Sequence, residues 1–142
     1  MDLSLGRRAD YAIRAAVALA SVTGQERRKA REIAEETAVP PSYLPQILAA
    51  LARGGLVSSA AGRHGGYALA RPPEAVTLLD VVNVVEGDPS SNRCVLRPGP
   101  CASGSECAVH VPWWSAQQAL LTELGTTTLA QVVGTSAGRP TR

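Results

Sequence analysis

Cys94, Cys101 and Cys107 are the only cysteines in the chain and fall within fourteen residues of one another. They lie in Asp88-Pro-Ser-Ser-Asn-Arg-Cys-Val-Leu-Arg-Pro-Gly-Pro-Cys-Ala-Ser-Gly-Ser-Glu-Cys, whose prolines, glycines and serines read as loop. Core cysteines scatter through helices and strands, whereas these sit together on backbone that can fold around something. An odd number cannot pair off into disulfides within the chain. Thiolates are soft, anionic donors suited to iron, and three of them leave one position for a weaker ligand from elsewhere. The chemistry this cluster points to is therefore metal or iron–sulfur binding. No nucleophile–base set, Walker loop or dinucleotide fingerprint accompanies it, so an enzyme is not expected.

The elements that must hold this loop come before and after it. Residues 8–23 read as a helix whose middle is apolar on every side except at Arg14, which calls for burial all round. So short a chain has little with which to enclose such a helix, and a second subunit would supply part of the cover; Gly24 is the expected stop. Lys29 to Thr37 reads as a short helix with Ile33 and Ala34 inward. A turn at Ala38-Val-Pro-Pro leads to a second helix, Ser42 to Arg53. Ser42 is its expected N-cap, Pro45 falls in its first turn, and Leu44, Ile47, Leu48 and Leu51 recur at helical spacing. Two short helices across a tight turn are the helix-turn-helix pattern, whose second member enters the major groove of DNA.

Residues 56–60 and 67–70 then read as two strands around Ala61-Gly-Arg-His-Gly-Gly, a glycine-tipped hairpin. Helix, helix, hairpin is the order of a winged helix, with Arg63 at the tip of the wing. Thr77 caps a short helix, Leu78 to Val85. Pro112 opens a longer one to Leu124, with Trp113, Ala116, Leu120 and Leu124 on one stripe. Residues 126–133 read as a closing helix and 134–142 as a disordered tail. The expected fold is mainly α with a small β-hairpin wing.

Composition agrees with a small nucleic-acid-binding protein. The chain has 142 residues, is 45% hydrophobic and contains no Phe, so its core must be Ala, Leu and Val. Residues 1–71 carry a net charge of +4 and residues 72–142 one of −2, a basic front half that modestly supports DNA binding. Leu3 to Leu5 is too short for a signal peptide and no stretch approaches a membrane span, so the expected location is the cytoplasm, where thiols stay reduced.

Leu44 through Pro73, with its helix, Gly54-Gly55 and Ala61-Gly-Arg-His-Gly-Gly, resembles the winged-helix signature of the Rrf2 family of bacterial regulators, which includes IscR and NsrR. The resemblance continues through Thr77-Leu-Leu-Asp-Val-Val-Asn-Val-Val-Glu-Gly, the three cysteines, and Trp113 to Val133. It implies a homodimer that binds double-stranded promoter DNA, usually as a repressor, and senses nitric oxide, redox state or iron–sulfur status through its cluster. Residues 1–87 would be the DNA-binding region, 88–111 the cluster loop, and 112–133 the dimerisation and closing helices. Ser42, Tyr43, Gln46, Arg63 and His64 would meet DNA.

The cysteine pattern, Cys-x6-Cys-x5-Cys-x2-His, has one residue more in its first gap than cluster-binding members usually carry. A loop absorbs that cheaply. The fourth ligand has two candidates. Asp10, before Tyr11-Ala-Ile-Arg, matches the carboxylate of the NsrR-like branch and goes with a [4Fe–4S] cluster. His110 matches the histidine of the IscR-like branch and goes with [2Fe–2S]. Asp10 is the favoured one. Zinc in a Cys3His set, or a cluster-free thiol switch, is the alternative.

Overall fold

The computed structural model describes residues 4–22, 26–87, 94, 96, 99 and 107–137, without the side chains of 136 and 137. The Ala-rich run forms α1, Arg7–Ala20. Its Ala9, Ala12, Ala15, Ala16 and Leu19 are buried and turned to the core, and side chains this small let α4 (Leu78–Glu86) and the next two helices approach closely. The expected burial on every side is not met within one chain. Ile13 and Val17 are half-buried and line a cleft with Arg14, Thr37 and Val133. The helix ends four residues before Gly24, which lies outside the described residues. Ser21 closes it, its hydroxyl donating to the Ala18 carbonyl at 2.8 Å.

The helix-turn-helix follows as α2, Ala30–Thr37, and α3, Leu44–Arg53. Ile33 and Ala34 face inward from α2, and Leu44, Ile47, Leu48 and Leu51 from α3, as their spacing requires. Between the helices Ala38 takes a left-handed conformation, φ 57°, and its N–H returns to the Ala34 carbonyl. Ser42 is not the N-cap of α3. The helix starts two residues later, because a backbone turn in which Tyr43 and Leu44 both donate to the Pro40 carbonyl does the work of entry, with Tyr43 in the cap position.

The hairpin consists of β1, Val57–Ala60, and β2, Gly66–Leu69, antiparallel with Val57 opposite Leu69 and Ala60 opposite Gly66. Arg28 adds a single-residue bridge to Tyr67, so the wing has the start of a third strand. Gly66 is required by that bridge: a Cβ there would lie 2.6 Å from the Arg28 carbonyl oxygen.

Helix α4 begins at a capping box. The Thr77 hydroxyl accepts from the Asp80 N–H at 3.1 Å, and the Asp80 carboxylate accepts from the Thr77 N–H at 2.9 Å. Thr77→Ala is expected to cost about 1 kcal/mol, read as a lowered midpoint in urea unfolding. The same corner ties down the end of the chain: Leu78 donates to Thr127 and Leu129, wholly buried, donates to Val76.

Helix α5 spans His110–Thr126, opening two residues before Pro112, and α6 spans Leu129–Ala137. Residues 134–137, expected to be tail, continue α6, with the Thr135 hydroxyl donating back to the Gln131 carbonyl. No residue of α5 is buried. On its expected stripe Trp113 and Leu124 are half-buried while Ala116 and Leu120 are exposed, and Val111 and Trp114 add further exposed apolar surface.

Candidate nucleic-acid interface and cysteine loop

Burying Leu44, Ile47, Leu48 and Leu51 turns the opposite face of α3 outward. Ser42, Tyr43 and Gln46 are exposed there, at the amino-terminal end from which a recognition helix reads bases. Tyr43 is held from behind: its ring lies 5.9 Å from that of Tyr11 on α1, tilted at 53°. On the wing, the Gly65 N–H donates to the Gly62 carbonyl at 3.1 Å. That turn carries Arg63 and His64 at its two middle positions, both exposed and without an ion-pair partner among the described residues. A helix end that presents hydroxyl, phenol and amide groups can meet base edges, and an arginine-tipped loop can meet backbone phosphate.

Asp10 sits in the first turn of α1 and is gripped by Arg14. Arg14 Nε donates to Oδ1 and Nη2 lies against Oδ2, both at 2.9 Å. The third guanidinium nitrogen donates to the Thr37 carbonyl at 3.4 Å, at the end of α2. Cys94 and Cys107 are half-buried and in no disulfide, and Cys101 lies outside the described residues. The Cys94 N–H donates to Gly99, and the Cys107 carbonyl accepts from the His110 N–H at 3.0 Å, which fixes Cys107 to the first turn of α5. Among the described residues of one chain, no three His, Cys, Asp or Glu side chains gather as a metal site. Neither Asp10 nor His110 therefore joins Cys94 and Cys107 within a single chain.

Sequence reasoning did not find Tyr11, Arg14 or Lys29 as parts of these sites. The Asp10–Arg14 spacing of four was a readable helix pair. The Tyr11–Tyr43 contact and the Lys29 bond to Gly62 cross 32 and 33 positions and leave no local signal.

The chain matches the family model "Rrf2: Iron-dependent Transcriptional regulator" over residues 5–135. It is 33% identical over 132 residues to a candidate HTH-type transcriptional regulator of Mycobacterium tuberculosis, covering 93% of this chain and 82% of that one. To the HTH-type transcriptional regulator IscR of Klebsiella pneumoniae it is 32% identical over 117 residues, 82% of this chain and 70% of the other. Among solved structures, IscR of T. potens superposes with a TM-score of 0.80 at 25% identity, over 100% of this chain and 95% of its own. CymR of B. subtilis, described as a global cysteine regulator, gives 0.79 at 27% identity, over 94% and 98%. These relatives are transcriptional regulators, not enzymes. With a winged helix built as above and a match along nearly its whole length, the chain belongs to the Rrf2 family of DNA-binding transcriptional regulators.

Proposed function

We propose that this regulator is a cytoplasmic homodimeric repressor that senses nitric oxide, redox state or iron–sulfur status through a cluster held by Cys94, Cys101, Cys107 and Asp10. One observation carries the reading: the cysteine segment ends on α5, a 17-residue helix with no buried residue. Val111, Trp114 and Leu120 are each more than half exposed on it. An apolar helix is stable in water when something covers it, and a second copy of α5 across a two-fold axis is the economical cover. Residues 1–87 then bind promoter DNA, 88–111 hold the cluster, and 112–133 join the subunits.

The donor set fits the group. Cys94 and Cys107 are half-buried and in no disulfide, and a carboxylate completes three thiolates for [4Fe–4S] as His110 would for [2Fe–2S]. When bound, the cluster would supply a centre open to attack by nitric oxide or oxygen. In this reading, as the resemblance to the NsrR-like branch implies, Asp10 reaches the cluster from the second subunit, and the cluster then reports on how the subunits are set. A thiol switch without a cluster is the second reading, favoured by the likeness to CymR. Protein purified without oxygen decides between them. Visible absorption, broad for [4Fe–4S] or structured for [2Fe–2S], with matching iron and sulfide supports the cluster, a colourless sample with reversible thiol oxidation supports the switch, and stoichiometric zinc overturns both.

On DNA, Gln46→Ala should cost about 1–3 kcal/mol on the cognate site and relax discrimination. The check is a titration of cognate and random duplexes side by side. Equal weakening on both would remove Gln46 from base reading.

A further inference from the structure

Residues 27–29 run alongside the hairpin, and each of them grips it. Arg27 Nη1 donates to the carbonyls of Ser58 and Gly66, at 3.1 and 3.4 Å. Arg28 exchanges two backbone bonds with Tyr67, each 2.8 Å. These two fix the base of the wing. Lys29 reaches further: its Nζ donates to the Gly62 carbonyl at 3.0 Å. That carbonyl is the one that closes the Gly62–Gly65 turn, so a single oxygen accepts both the turn's own N–H and the lysine.

The tip needs such a hold. Strands of four residues make a marginal hairpin. Gly62 sits at φ +93° with open space where a Cβ would be, so neither its own backbone preference nor its neighbours fix it. A loop ordered only on binding would lower affinity by its lost freedom, and a tie made beforehand removes that cost. The side chain is also spare for the purpose. The part Lys29 plays at the start of α2 is taken by its backbone N–H, which donates to the Glu32 carboxylate at 3.0 Å.

We propose that Lys29 is a positioning residue for DNA binding: its ammonium holds the wing-tip turn by the Gly62 carbonyl, so that Arg63 is presented to the duplex, and Lys29 itself does not touch DNA. This rests on the reading of Arg63 as a DNA contact.

A double-mutant cycle of Lys29→Met and Arg63→Ala tests it, with the duplex that the wild-type protein selects from a randomised library as the probe. Lys29→Met should weaken binding about fivefold beside an intact Arg63 and less than about twofold beside Arg63→Ala, since coupled residues are non-additive. In DNA-free protein it should speed hydrogen exchange at the Gly65 amide and leave the thermal midpoint in place. The same loss in both backgrounds, with the salt slope about one lower each time, would make Lys29 a direct phosphate contact and overturn the proposal. Unchanged exchange at Gly65 would overturn it as well. Should Arg63→Ala cost nothing while Lys29→Met still frees the Gly65 amide, the wing's contact with DNA is what fails, and the positioning role for DNA falls with it.

Discussion

Cys94→Ala, Cys101→Ala or Cys107→Ala is expected to abolish stable cluster assembly, with iron and sulfide falling to background after anaerobic purification. Each thiolate contributes a full negative charge and a strong bond, and two of them with a carboxylate do not retain the centre. The fold should survive. The core is the Ala, Leu, Val and Ile set of α1 to α4 with Val39, Leu56, Val57, Val76 and Leu129, and the half-buried Cys94 and Cys107 are not among its side chains. Unfolding free energy should therefore move by no more than about 0.5 kcal/mol. DNA affinity should lose its dependence on anaerobic reconstitution, a coupling of about 5- to 150-fold in a working allosteric protein. Circular dichroism, metal analysis and paired DNA titrations read all three quantities. A cluster retained in every one of the three variants would remove the metal reading altogether.

The DNA-binding half was largely legible because its signals are local. Ile33 and Ala34, and then Leu44, Ile47, Leu48 and Leu51, recur at the period of a helix, and each is buried where that period puts it. Thr77 was equally plain as the cap of α4, to which the structure adds the reciprocal bond of Asp80. Errors fell where backbone or distant contacts decide. Ser42 has the right side chain for an N-cap, but the carbonyl of Pro40 had already taken the donors of the entering turn. Residues 134–137 have the composition of a tail, yet α6 persists through them, its first residue anchored in the core by Leu129. The extended edge at Arg28 is one residue long and gives no alternation to read.

The apolar first helix reads as needing cover on every side, and a single chain supplies that cover only in part. Ile13 and Val17 remain half-exposed beside Val133 of α6. Together with the exposed Val111, Trp114 and Leu120 of α5, they mark the faces where the second copy is proposed to sit. The candidate metal residues were the least legible in full. Spacing names three thiols at once, but it does not say where a fourth ligand would come from.

Asp10→Ala is expected to let the cluster assemble on three cysteines yet lose it faster under oxygen, while His110→Ala leaves its visible spectrum nearly unchanged. The reason lies in the present partner of the carboxylate. To bind iron, Asp10 must give up at least one of two 2.9 Å contacts to Arg14, an exposed helix pair worth only about 0.3–0.5 kcal/mol. The exchange is therefore cheap for the ligand. Its consequence is larger for Arg14, whose remaining bond runs to the Thr37 carbonyl at the turn of the helix-turn-helix. Tyr11, next to Asp10, bears on Tyr43 at the start of the recognition helix. A change at the carboxylate thus reaches both ends of the turn that sets α3. Asp10→Ala should accordingly alter DNA affinity even in cluster-free protein, and Arg14→Ala should do so while shifting cluster lifetime by no more than about twofold. Decay of the visible absorption after exposure to oxygen, followed beside DNA titrations of all three variants, makes the comparison. Loss of the cluster in His110→Ala with normal lifetime in Asp10→Ala would move the fourth ligand to the histidine, and with it the cluster to the [2Fe–2S] type.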